Sequence, residues 1–124
     1  MGLEINVNTK LLGAFGEAAA AEFLRKKKYK VVGMNYRTRY GEIDIIATQK
    51  KILAFVEVKL RRNRRFAEAF ESVDKRKQSR LRLTAELWLA ENETSLQPRF
   101  DVIEVYINGD DNRIKEINHI INAF

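Results

Sequence analysis

Two acids and a lysine stand in apolar, strand-like surroundings: Asp44 within Gly41-Glu42-Ile43-Asp44-Ile45-Ile46-Ala47, then Glu57 and Lys59 within Phe55-Val56-Glu57-Val58-Lys59. Side chains alternate along a strand, so Glu57 and Lys59 leave the same face. If the two segments pair as a hairpin, an even-numbered loop such as Gln49 to Ile52 sets Asp44 opposite Glu57. A three-residue loop sets Asp44 opposite Val56 instead, because a one-residue slip turns every side chain over. In the even register, two carboxylates and an ammonium converge on one patch of sheet, which suits metal-assisted hydrolysis of a phosphodiester. A hard divalent cation, Mg²⁺ or Mn²⁺, takes oxygen ligands, often one or two carboxylates completed by phosphate and water. It polarises a phosphoryl oxygen and acidifies the attacking water. Asp44 and Glu57 would supply carboxylates, the Val58 carbonyl a third oxygen, and Lys59 a positive charge beside the reacting phosphate. The same spacing also fits an ordinary solvated acid–lysine pair, worth little energetically. Against that, Leu53 and Phe55 share the face of Glu57, and Ile46 shares that of Asp44. An unpaired charge on an apolar surface is costly.

These side chains need elements to hold them. Residues Thr9 to Lys28 read as a helix capped by Thr9, with Leu12, Phe15, Ala19 and Phe23 on the inward face. Glu17 falls in another row, with Gly13, Ala14, Ala20, Ala21 and Leu24. An acid among small residues suggests a helix flank packed closely on a sheet. Strands are expected near Lys30 to Tyr36, Glu42 to Thr48 and Ile52 to Leu60, as an antiparallel meander. A second helix is expected from Lys75 to Glu91, capped by Asp74, with Leu81, Ala85, Trp88 and Leu89 facing inward. A fourth strand follows near Phe100 to Ile107, and Asn108-Gly109 opens a turn into a short last strand near Arg113 to Ile117. Strand, long helix, strand is a crossover unit, which makes strands three and four parallel. The expected fold is therefore α/β, one domain over residues 1–124. Its mixed central sheet has strands one to three antiparallel, a crossover helix to parallel strand four, and helices packed on the sheet.

The chain has 124 residues, with 23 Lys and Arg against 17 Asp and Glu, a formal net charge of +6. A basic protein attracts polyanions, and nucleic acid is the commonest. With no cysteine, disulfides and thiolate metal sites are excluded. His119, the only histidine, has no His or Cys partner for a zinc site and reads as structural. The apolar runs are strand-sized and interrupted by acids, so no membrane span or signal peptide is expected, and the cytoplasm is the default location. Arg61, Arg62, Arg64 and Arg65 follow directly on the Glu57–Lys59 strand, and Lys75 and Lys77 open the second helix. Cations there oppose the helix dipole by about 0.3–1 kcal/mol each, an interaction that a bound phosphate reverses in sign. These groups outline a phosphate-tracking surface, or else a solvated helix end. Gln78 could touch the scissile phosphate, or hydrogen-bond backbone at the helix start.

The ordered set of Gly13-Ala14-Phe15-Gly16-Glu17, Asn35-Tyr36-Arg37, Gly41-Glu42-Ile43-Asp44, Phe55-Val56-Glu57-Val58-Lys59, Lys77-Gln78, Arg99-Phe100-Asp101-Val102 and Asn122-Ala123-Phe124 resembles the YraN family. That family is similar to archaeal Holliday-junction resolvases and has a restriction-endonuclease-like fold with a D-x(n)-E-x-K site. The resemblance implies Asp44 and Glu57 as metal ligands, Lys59 as the catalytic lysine and Glu17 as the helix-borne acid completing the site. It implies a Mg²⁺- or Mn²⁺-dependent nuclease acting on nucleic acid, DNA in particular and branched DNA by analogy, and a homodimer presenting two sites. One departure is that Arg61-Arg62-Asn63-Arg64-Arg65 is densely basic where such chains often carry a small or glycine-containing segment. Two other readings stay open. One is a nucleic-acid-binding module that keeps the fold and cuts nothing; the other is a basic surface for an acidic protein partner.

Overall fold

The strand Ile52–Arg61 is apolar on both faces, and the other elements cover it. The computed structural model describes residues 9–62 and 73–124. In chain order the elements are α1 (Thr9–Lys26), β1 (Lys30–Thr38), β2 (Gly41–Gln49), β3 (Ile52–Arg61), α2 (Lys75–Glu91), β4 (Gln97–Ile107) and β5 (Ile114–Ile120). They build one five-stranded sheet in the order β1-β2-β3-β4-β5. β3 and β4 are parallel, joined through α2, and all other neighbours are antiparallel. The α/β plan and the parallel third and fourth strands are those expected from the crossover rule.

Each face of the sheet has its own core. Ile45, Ala47, Ala54, Val56, Ile103 and Val105 pack under α1 with Ala20, Ala21 and Leu24. Ile43, Ile46, Leu53 and Phe55 pack under α2 with Leu81 and Ala85, flanked by Trp88 and Leu89. For α1 the buried stripe matches the expected one only in part: Ala19 and Phe23 pack against the core as expected. Phe15 is 41% exposed, whereas Ala20, Ala21 and Leu24 are buried. The small row wins because it lets the helix lie close: a Cβ on Gly16 would meet Leu60 Cδ1 at 3.3 Å. Bulk in the Leu12 and Phe15 row would hold the helix off the sheet. α1 ends two residues before the expected Lys28. There Lys28 N–H bonds the Arg25 carbonyl and Tyr29 N–H that of Leu24, while Lys28 takes a left-handed φ of 75°. That is a Schellman cap, which here lacks the usual glycine.

β4 starts earlier than expected, at Gln97, and so contains Pro98. A proline lacks the N–H for a ladder, which argues against a central strand. It is tolerated because β5 reaches only Val102, leaving that side of Pro98 without a strand neighbour. β5 in turn runs on to Ile120, past the expected end at Ile117.

Candidate functional site

Register and a fork in the sheet assemble the site. β2 and β3 are joined by the two residues Lys50-Lys51, Lys50 adopting a φ of 55°. Their ladder ends at Ile45↔Val56. Beyond it, β2 stays with β1 as far as Gly41, and β3 stays with β4 as far as Arg61, so the two strands part. Asp44 and Glu57 are the next residues in line, as the even register requires. The Val58 N–H loses its strand partner there and donates instead to Asp44 Oδ2 at 2.8 Å. β1 contributes to the distortion, since Asn35 has a φ of 55° in mid-strand, beside Asp44. Asparagine tolerates that conformation better than most residues, and its side chain is free to bond Glu17.

The fork opens a cleft of about 390 Å³ lined by Glu17, Glu42, Asp44, Glu57, Val58, Lys59 and Lys77. α1 brings Glu17 from one face and α2 brings Lys77 from the other. The cleft has two halves. Carboxylate oxygens of Glu17, Glu42 and Asp44 lie within 4.8 Å of one another. Glu57 is instead ion-paired with Lys77 and lies 3.7 Å from Lys59 Nζ.

Burial and crowded charge in this partly dry cleft shift Glu17, Asp44, Lys59 and Lys77. Burial, then the charge of Glu57, pushes the Asp44 carboxyl up to about 8, although the Val58 N–H favours the ion. Burial also raises Glu17; the Asn35 hydrogen bond opposes this and the charge of Glu42 adds to it. Lys59 is lowered, first by burial and then by the neighbouring Lys77. For Lys77 burial works the other way from its partner, and the bond to Glu57 leaves it raised. Glu17, Glu42 and Asp44 offer three carboxylates with no sulfur or imidazole among them, a hard-oxygen donor set. It fits Mg²⁺ or Mn²⁺, whose charge would relieve the repulsion.

The structure thus brings together Glu17, Asp44, Glu57, Val58, Lys59 and Lys77, and it treats the other basic residues differently. Arg61 is 6% exposed, with its guanidinium 3.6 Å from Glu104 Oε2. It serves the β3–β4 pair, and burial removes it from a phosphate-facing surface. Arg61→Ala should therefore cost about 3 kcal/mol in a urea melt, since breaking a buried pair strands its partner. Arg62→Ala should change stability by less than about 0.5 kcal/mol. Arg62 is exposed and donates to Asn112 Oδ1 at 2.9 Å. Arg64 and Arg65 lie outside the described residues. Lys75 is exposed at the start of α2. The Gln78 side chain donates to the Val73 carbonyl at 2.8 Å, the backbone alternative rather than the phosphate one.

Sequence reasoning missed Glu42 and Asn35. Glu42 was legible: in Glu42-Ile43-Asp44 the acids are two apart and share a strand face. Asn35 carried no such signal, because its value lies in a backbone kink.

A family model described as "Uncharacterised protein family UPF0102" matches residues 16–105, a stretch that includes every cleft residue. The chain belongs to the UPF0102 family. This is the family behind the YraN resemblance. A UPF0102 protein of Caldanaerobacter subterraneus subsp. tengcongensis is 44% identical over 119 residues, covering 95% of this chain and 98% of its own. One from Acetivibrio thermocellus is 44% identical over 121 residues, covering 94% and 93%. One from Clostridioides difficile is 43% identical over 119 residues, covering 95% and 100%. The family model thus runs from the Glu17 helix into β4, and the matches to these relatives extend over nearly the whole chain. Among the described residues, no helix of this UPF0102 protein is long and apolar enough to cross a membrane.

Proposed function

We propose that this UPF0102 protein is a Mg²⁺- or Mn²⁺-dependent nuclease that hydrolyses phosphodiester bonds in nucleic acid, with DNA as the substrate. The observation that carries the reading is the fork between β2 and β3, where four carboxylates and two lysines line one open cleft. Glu17, Glu42 and Asp44 would hold the cation, with Glu57 and the Val58 carbonyl at the margin of its site. When bound, such a cation polarises a phosphoryl oxygen and lowers the pKa of water. Lys59 and Lys77 face the same space and supply the positive charge that the phosphate needs. Lys59, its ammonium weakened by burial, can also pass a proton at Nζ. A chain that only bound nucleic acid would gain nothing from carboxylates facing phosphate. The analogy with junction resolvases, a fold-level argument, extends the reading to branched DNA and a homodimer; a cytoplasmic location is the default for a chain with no expected signal peptide or membrane span.

The direct test incubates the protein with labelled single-stranded, duplex, flap and four-way-junction DNA and an RNA, in Mn²⁺ or EDTA. Cutting that needs Mn²⁺ supports the reading. Salt-sensitive binding without cutting would replace it with a binding module, for which the Glu57–Lys77 ion pair offers some support. Absence of any binding at low salt would remove both. Lys59→Ala should lower turnover by about 10²–10⁴-fold, the range for a lost acid–base group, while Mn²⁺ still binds by calorimetry. Turnover equal to the parent would exclude Lys59 from the reaction.

A further inference from the structure

The β1–β2 turn ends in Arg39-Tyr40, two residues before Glu42 and the cleft. Among the described residues, each side chain's polar and ring contacts are with the other. Arg39 is exposed and Tyr40 is 37% exposed. They pack on each other: the Arg39 guanidinium carbon lies 5.0 Å from the Tyr40 ring centroid, and Arg39 Nη2 donates to the Tyr40 hydroxyl at 2.8 Å.

The turn that carries them is held in place. Thr38 Oγ1 accepts from Tyr40 N at 3.1 Å and donates to the Gly41 carbonyl at 3.3 Å. Gly41 is pressed against α2, where a Cβ would meet Thr84 Oγ1 at 3.2 Å and Arg80 Cβ at 3.6 Å. Thr84 is itself fully buried and donates to the Arg80 carbonyl at 2.7 Å. The turn that carries a planar aromatic and a planar cation is therefore held two residues from cleft-lining Glu42, against the Arg80–Thr84 stretch of α2.

We propose that Arg39 and Tyr40 form a base-stacking platform that selects nucleic acid with an unpaired base next to the cleaved phosphate. The proposal rests on the nuclease reading above and names its substrate class: single strands, flaps and branch points rather than continuous duplex. Every base has a π-face, so stacking on tyrosine and arginine is strong and sequence-tolerant, but it needs a base that has left the helix. Two residues of extended chain span about 7 Å, or about two base steps of 3.4 Å. A base on Tyr40 would thus place a neighbouring phosphate near Glu42, which lines the cleft. The exposed cations Arg39 and Arg80 would track the backbone through the same turn, whereas Arg37 is ion-paired with Glu42 at 3.4 Å.

The experiment measures binding without cleavage, by fluorescence anisotropy in EDTA. Fluorescein-labelled single-stranded DNA and a duplex of equal length are compared for wild type, Tyr40→Phe and Tyr40→Ala. A 2-aminopurine in the single strand reports stacking directly. Tyr40→Ala should weaken single-strand binding about tenfold, abolish the 2-aminopurine quench and leave duplex affinity within twofold. Tyr40→Phe, which keeps the ring and loses only the hydroxyl, should behave as wild type. Unchanged or equal losses on both DNAs overturn the platform while leaving the nuclease reading intact. If wild type binds neither DNA, the nuclease reading falls and takes the platform with it.

Discussion

Asp44→Asn is expected to abolish metal-dependent cleavage and, at the same time, to make the metal-free protein more stable. Loss of a central carboxylate from an oxygen-ligand site removes several kcal/mol of cation and transition-state stabilisation, or about a thousandfold or more in rate. The stability effect follows from protonation. The folded pKa of Asp44, about 8, lies above its ordinary 3.8, so the folded chain holds this proton more tightly than the unfolded one. That contribution is fully present below pH 3.8 and is lost as pH rises through 8. At pH 8 and above, the wild type carries an ionised, crowded carboxylate, and the asparagine variant does not. Asparagine retains an oxygen to accept the Val58 N–H, so the fork stays closed on that side. The gain should be about 1–2 kcal/mol, discounted because the cleft is open to water. Urea melts from pH 5 to pH 9 measure it: wild-type stability should fall across this range and that of the variant should stay nearly level. Added Mn²⁺ should restore the wild type by mass action and leave the variant unmoved. A variant that cuts normally, or one less stable than wild type at pH 8, would contradict the site.

Asp101→Asn is expected to have the opposite character, a large loss of stability unrelated to metal. Asp101 is fully buried. Arg99 reaches both its oxygens, at 2.9 and 2.8 Å, His119 Nε2 lies 2.8 Å from Oδ2, and Asn122 N donates to Oδ1 at 3.0 Å. Arg99 also donates to the Tyr29 hydroxyl, at 2.7 Å, and Lys27 Nζ stands 3.2 Å from His119 Nδ1. One carboxylate thereby ties β4, β5, the C-terminal turn and the end of α1 together. A histidine protonated at Nε2, with Nδ1 accepting from Lys27, satisfies both ring nitrogens. Removing the charge from the buried Asp101 leaves the half-buried Arg99 without its counter-ion, at a cost of about 3 kcal/mol. A domain with 5–15 kcal/mol in hand, roughly, is left marginal by such a loss. Burial alone would raise the Asp101 pKa, but the bonds from His119, Arg99 and Asn122 outweigh it and bring it down to about 2. Its stabilisation is therefore present above pH 3.8 and disappears as pH falls through 2. Urea midpoints of wild type and variant should differ most above pH 4 and converge near pH 2. A constant difference across that range would show that packing, not charge, is responsible.

Much of the site was legible in the chain itself. Alternation along Phe55-Val56-Glu57-Val58-Lys59 puts Glu57 and Lys59 on one face with no help from anything distant. The crossover rule makes β3 and β4 parallel, and the row of small residues beside Glu17 implies a close-packed helix flank. Each of these depends on local geometry or on a rule with few exceptions, so sequence suffices.

What sequence could not decide was long-range. Whether Asp44 meets Glu57 depends on a turn whose length leaves both parities open until the strands are paired. The fork beyond Ile45↔Val56 comes from competition between β1 and β3 for β2, and the kink at Asn35 is stable only inside the sheet. Arg61 looked like its neighbours in a basic run, yet its position opposite Tyr106 and beside Glu104 turned it inward. His119 and Asp101 are 18 residues apart and showed no shared pattern until β4 and β5 paired. Periodicity states which residues share a face of one element. Tertiary packing alone decides which faces meet, because the free energy that selects the partner is spread over the whole core.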